Sequence, residues 1–84
     1  MSDVIIYTTK VCPYCVRAKD LFKRKGVAYK EVDASDDAVR EDMIVKAGGR
    51  RTVPQIFIGS THVGGCDDLY ALDKEGKLDA LLAA

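Results

Sequence analysis

Val4-Ile5-Ile6-Tyr7-Thr8-Thr9-Lys10-Val11-Cys12-Pro13-Tyr14-Cys15 runs from a strand signal into a helix signal, with two thiols at the junction. Val4 to Tyr7 is a continuous run of β-branched and aromatic residues, the pattern of a strand covered on both faces. Thr8 to Val11 reads as a loop. From Pro13 onward Cys15, Ala18, Leu21 and Phe22 recur at helical spacing until Gly26 supplies a stop. Pro13 suits the first helical position, because its fixed φ fits there and the N–H it lacks has no intrahelical acceptor. Two cysteines three positions apart share one helix face, and the first sits over backbone N–H groups with no intrahelical partner. The positive end of the helix dipole and the nearby cation Lys10 favour a thiolate at Cys12, below the value of about 8.5 of a free thiol. Cys12 is therefore the expected nucleophile. Cys15, one turn deeper, lacks that help but stands close enough to attack a mixed disulfide on Cys12, which makes it the expected resolving thiol. The competing readings are half of a zinc site or an inert pair of core cysteines. Zinc usually takes four ligands, and no second CxxC or HxxxH spacing is present.

Outward from this junction, Val27 to Val32 alternates well enough for a second strand. Ser35 is placed to cap a second helix, with Asp36 and Asp37 in its positive first turn, a stripe of Val39, Met43 and Ala47, and Gly48-Gly49 as its end. Gln55 to Ile58, the turn pair Gly59-Ser60 and Thr61 to Val63 read as an antiparallel hairpin. Gly64-Gly65 breaks the strand, and Cys66, Asp67 and Asp68 open a third helix bearing Leu69 and Leu72. A last short helix holds Leu78, Leu81 and Leu82. The order β-α-β-α-β-β-α predicts an α/β fold: the right-handed crossover makes the first two strands parallel, and the hairpin completes a four-stranded mixed sheet flanked by helices.

Eighty-four residues, 48% of them hydrophobic, make a single domain over residues 1–84, near the lower limit for a self-sufficient core. Thirteen basic and thirteen acidic side chains leave a formal net charge of zero, which removes the footprint of a general nucleic-acid binder. The longest apolar run, Val4 to Tyr7, is too short for a signal sequence or a membrane span, so no membrane association is expected. Three cysteines, an odd count with one close pair, suit reversible thiol chemistry in a reducing compartment, and a cytoplasmic protein is expected.

Three motifs in order, Cys12-Pro13-Tyr14-Cys15, Thr52-Val53-Pro54 and Gly64-Gly65-Cys66-Asp67-Asp68, resemble the glutaredoxin family over nearly the whole chain, most of all its short bacterial dithiol members. The resemblance implies a thioredoxin-like fold and glutathione-dependent reduction of protein disulfides and of protein–glutathione mixed disulfides. Glutathione is then a co-substrate, with no bound cofactor and no metal. The proline matching Pro54 is cis in this family, which would expose the Val53 backbone to pair with an extended glutathione as a sheet edge pairs with an added strand. On its own the sequence favours an ordinary trans turn there. The glycines of the third motif would let the ligand approach, the helix start would offer N–H groups to its γ-glutamyl carboxylate, and Asp68 would hold its ammonium. The bland alternative is a helix start carrying acids for its own dipole.

The glycyl carboxylate needs a cation. Lys10 and then Arg40 are the first candidates, while Arg50 and Arg51 read as solvated. Tyr14 would flank the ligand with its ring. Thr52, Val53, Pro54, Cys66, Asp67 and Asp68 complete the implied glutathione contacts, although Cys66 by itself reads as a small buried hydrophobe. His62 reads as a solvent-facing strand histidine.

The resulting expectation is a monomeric glutathione-dependent thiol-disulfide oxidoreductase acting on glutathionylated or disulfide-bearing proteins. Rival readings are a redoxin reduced by thioredoxin reductase and serving ribonucleotide reductase, an iron–sulfur cluster carrier dimerised through Cys12, and a zinc module using all three cysteines and His62.

Overall fold

The structure, a computed structural model, describes residues 3–83. Its elements follow in the order β1 Val4–Thr8, α1 Pro13–Arg24, β2 Lys30–Asp33, α2 Asp37–Lys46, β3 Gln55–Ile58, β4 Thr61–Gly64, α3 Cys66–Lys74 and α4 Leu78–Ala83. The strands form one mixed sheet ordered β2-β1-β3-β4. β1 is parallel to β2 and antiparallel to β3, with Ile6 opposite Glu31 on one side and Ile56 on the other. β3 and β4 form the antiparallel hairpin, with a register shift between Ile56 and Phe57. The result is the expected thioredoxin-like arrangement.

Alternation along β1 divides the interior in two. Val4 and Ile6 pack with Ala18, Leu21 and Phe22 of α1 and with Leu69 and Leu78 beyond the hairpin, whereas Ile5 and Tyr7 face the side that holds Met43 of α2. Both faces of the strand are covered by apolar side chains. That is why its sequence is a continuous apolar run, each fully buried side chain of this kind contributing about 1.5–3 kcal/mol. Burial of Val4, Ile6 and Tyr7 fixes β1 as the central platform from which the Cys12 loop departs.

Three boundaries differ from those the sequence predicts. β2 begins at Lys30 rather than Val27, because β1 offers its first partner, Ile5, only opposite Lys30. Val27 and Tyr29 instead pack on the larger core, and the Val27 N–H closes the end of α1 on the Phe22 carbonyl at 3.0 Å. The cap of α2 is Asp36, not Ser35: the Asp36 carboxylate accepts from the N–H groups of Ala38 at 2.9 Å and Val39 at 3.3 Å. Ser35 is committed one residue earlier, its N–H donating to Asp33 Oδ1 at 2.9 Å. β4 extends one residue, to Gly64.

Candidate active site

Pro13 is the first residue of α1 and Cys12 is its N-cap, in extended conformation. The backbone N–H of Cys15 donates to Cys12 Sγ at 3.1 Å, so sulfur occupies the place an Asp or Ser oxygen usually takes. No acid stands in the first turn of α1, while Lys23 and Arg24 stand in its last, so nothing within the helix start offsets its positive end. Cys12 is partly exposed, Cys15 is only 1% exposed, and the two are joined as a disulfide with Cα atoms 5.1 Å apart. The pair that the sequence sets on one helix face is thus close enough to cross-link, with one sulfur facing out and one sealed in.

Cys12 Sγ lies 3.8 Å from the Val53 carbonyl oxygen, which brings the second motif against the first across 41 positions of sequence. The Val53–Pro54 bond is cis, as the resemblance implied and against the ordinary turn that sequence alone favours. From there a cleft of about 310 Å³ opens, lined by Tyr14, Arg50, Thr52 to Pro54 and Gly65 to Asp68. Seven of the residues expected at a ligand site therefore meet: Tyr14, Thr52, Val53, Pro54, Cys66, Asp67 and Asp68. Lys10 and Arg40 do not line the cleft. The Arg40 guanidinium donates to the Arg51 carbonyl at 2.9 Å, and the Lys10 charge acts on Asp33 instead.

Arg50, which reads from sequence as a solvated arginine, is the cation that does line the cleft. Its Nη1 pairs with Asp68 Oδ2 at 3.0 Å, and the same carboxylate oxygen accepts the Gly65 N–H at 2.9 Å. The Gly65 N–H, and after it Arg50, hold the Asp68 carboxyl below the usual carboxylate range. Asp68 Oδ2 carries both hydrogen bonds, which leaves Oδ1 open to a further donor. Gly64 has φ +114°, and a Cβ there would collide with the Asp68 carboxylate and the Arg50 guanidinium. Gly65, the N-cap of α3, brings no side chain to the helix start, so Asp68 supplies only the returning half of a capping box.

Tyr14 is 54% exposed, and the Arg17 guanidinium sits between its ring, at 5.9 Å, and that of Tyr70, at 5.5 Å. Cys66 is buried, and that burial pushes its thiol up, in keeping with a neutral packed side chain. His62 is not a solvent-facing strand histidine: it is half-buried, its ring stacks on Phe57 with centroids 4.8 Å apart, and its Nε2 meets Gln55 Oε1 at 2.7 Å. Among the described residues no three of His, Cys, Asp or Glu gather where a metal ion could bind. A larger groove of about 740 Å³ lies by the start of β1 and the α1–β2 connection, and none of the three motifs reaches it.

A cleft lined by the Val53 backbone, which a helix-capping sulfur adjoins, and by a fixed acid–base pair fits an elongated ligand carrying both a thiol and charged termini. Comparison with known proteins agrees with that chemistry. The family model for Glutaredoxin matches residues 4–63. The glutaredoxin of Pseudomonas aeruginosa is 55% identical over 84 residues, covering 100% of both chains. The solution structure of the Brucella melitensis glutaredoxin superposes with a TM-score of 0.86 at 63% identity, over 98% of this chain and 89% of that one. The crystal structure of a buckwheat glutaredoxin–glutathione complex does so with a TM-score of 0.89 at 32% identity, over 98% of this chain and 77% of that one. With its three motifs converging on one cleft and its full length aligned to such relatives, this chain belongs to the glutaredoxin family, the thiol-disulfide oxidoreductases.

Proposed function

We propose that this oxidoreductase removes glutathione from glutathionylated proteins through Cys12 alone and reduces protein disulfides through Cys12 and Cys15 together. In the first route the Cys12 thiolate attacks the glutathionyl sulfur of the mixed disulfide. The protein leaves as its thiolate, and Cys12 carries the glutathione. Attack on the other sulfur would leave the protein on Cys12 instead, so seating the glutathionyl half in the cleft decides the outcome. A second glutathione thiolate then attacks the glutathionyl sulfur on Cys12, releasing glutathione disulfide and restoring the Cys12 thiolate. In the second route Cys12 bonds one sulfur of a target disulfide, and Cys15 attacks Cys12 Sγ to release the reduced target. The Cys12–Cys15 disulfide that remains is reduced by two glutathiones.

One observation carries the reading: Cys12 Sγ is at once the cap of α1 and the neighbour of the Val53 carbonyl at the mouth of the cleft. A helix terminus favours the thiolate as attacker and as leaving group, and Val53 offers a strand edge to the glutathione backbone. At the far end, Asp68 Oδ1 takes the ligand's ammonium while the first N–H groups of α3 face its γ-glutamyl carboxylate. Arg50 supplies a cation for a ligand carboxylate, in place of Lys10 and Arg40. Glutathione is also the ligand in the buckwheat relative's complex. The protein works as a monomer in the reducing cytoplasm, a setting that suits two close cysteines and a third, buried one.

The test compares a peptide glutathionylated on its cysteine with the same peptide carrying cysteamine, each reduced by the wild-type protein with glutathione as reductant. The glutathionylated peptide is expected to react with a KM at least about tenfold lower, since the two carboxylates and the peptide backbone of glutathione contribute only to the first. Equal KM values would remove the glutathione site from the reading.

A further inference from the structure

Gln55 is completely buried at the start of β3, yet every polar atom of its amide is used. Its Nε2 donates to the Thr52 carbonyl at 2.9 Å and to Thr52 Oγ1 at 3.2 Å. A carbonyl oxygen can only accept, so the amide nitrogen must face Thr52 and the amide oxygen must face His62. That oxygen in turn can only accept, which places a proton on His62 Nε2 at 2.7 Å. The ring is held from its other face by stacking on Phe57. Burial, and then the charge of Arg50, push the ring toward its neutral form, against the opposing pull of Asp68. A directional chain of hydrogen bonds thus runs from β4 through the hairpin interior to the backbone of Thr52, the residue before Val53.

We propose that Gln55 and His62 are positioning residues that fix the Thr52-Val53 edge in register with its ligand. The inference rests on the reading of the cleft as the glutathione site. Neither residue touches the sulfurs, and neither lines the cleft, so any effect on turnover passes through Thr52. The shift in register between Ile56 and Phe57 sets His62 opposite Phe57, from where it reaches back to Gln55, seven positions earlier. A strand edge pairs with an extended ligand only if its donor and acceptor are held at fixed spacing, and Thr52 has its carbonyl anchored inward by this chain.

The test uses His62→Phe, which keeps a ring to stack on Phe57 but leaves the Gln55 oxygen with no donor, and His62→Gln, which restores an N–H at similar reach. For His62→Phe the KM for a glutathionylated peptide is expected to rise on the order of fivefold with kcat unchanged, because the orphaned amide turns and releases Thr52. The rate of Cys12 alkylation against pH should stay that of the wild type. His62→Gln should return the KM to within about twofold, a rescue that a purely steric role would not give. If His62→Phe does not fold, His62→Asn, whose amide is too short to reach Gln55, is measured with the same expectation. An unchanged KM in the variant lacking the donor, or no rescue by His62→Gln, overturns the brace. A control with the cysteamine-bearing peptide separates the two readings. If the wild-type protein itself does not prefer the glutathionylated peptide, the glutathione site and the brace with it are overturned, whereas a wild-type preference that the His62 variants keep in full overturns the brace alone.

Discussion

Two helix starts meet at the cleft, and they are built in opposite ways. α1 begins with a side chain that caps its own N–H groups, the Cys12 sulfur, followed by proline and a first turn without acids. α3 begins with a glycine that caps nothing, followed by two acids, one of which folds back to the Gly65 N–H and binds Arg50. The same backbone dipole therefore serves two purposes. At α1 it acts on an atom of the protein, and its strength is kept for that sulfur. At α3 its first N–H groups have no side-chain cap, and the charges around them form a balanced pair that an incoming zwitterion can match. On the proposed reading, reactivity is lodged at one terminus and recognition at the other.

Breaking the first terminus should have the largest effect. Cys12→Ser is expected to abolish both deglutathionylation and disulfide reduction, while Cys15→Ser keeps the first and loses the second; turnover of a glutathionylated peptide and of an intramolecular disulfide distinguishes them. Full turnover by Cys12→Ser would remove the reactive role from the start of α1. Next comes Gly64→Ala. A left-handed backbone and a collision with both partners of the ion pair should cost about 1–3 kcal/mol in denaturant unfolding and raise the KM for glutathionylated substrate, with Cys12 alkylation unchanged.

Asp68→Asn cuts more finely. It removes the charge that answers a ligand ammonium and should raise that KM by about tenfold, the lower end of what a charged hydrogen bond contributes, because the site is half open to water. The same variant has a pH signature. The folded Asp68 carboxyl lies below its unfolded value, so its stabilising contribution is complete above the ordinary carboxylate range and is lost as pH falls below about 4, through the folded value. Asp68→Asn should therefore flatten the decline in stability on acidification, read as the denaturant midpoint between about pH 5 and 2. The smallest effect belongs to Tyr70→Phe. The Tyr70 hydroxyl donates to the Arg17 carbonyl at 2.9 Å and accepts from Arg24 at 3.0 Å, joining α3 to α1. Its loss at this exposed position should cost about 0.5 kcal/mol and leave turnover within twofold, showing that the two helices need to be near one another but not rigidly clasped.

The α1 terminus was legible in the sequence because everything it uses lies within four residues, where proline, cysteine spacing and helix geometry act locally. The far wall was legible only as motif. Arg50 and Asp68 are separated by 18 positions, Gln55 and His62 by seven across a hairpin whose register shifts midway, and no periodicity announces either pair. A charged side chain near a loop looks solvated until the fold shows what it touches, which is why the sequence favours Lys10 and Arg40 over Arg50. Gln55 gave one faint signal: an uncharged polar residue at the head of an apolar strand needs partners if it is buried. The order of elements and both covered faces of β1 could be read from patterning, whereas the start of β2 could not, because it is set by where β1 begins and not by the residues of β2 themselves.

With Cys15 sealed beneath the surface and Cys12 at the mouth of the cleft, the site has a single door. A visiting thiol or disulfide, whatever its size, can exchange only with the outer sulfur, and the inner one trades solely with a neighbour already in place. In the proposed cycle, adducts therefore form on the sulfur from which they can be cleared again, and the inner cysteine is spared contact with passing oxidants.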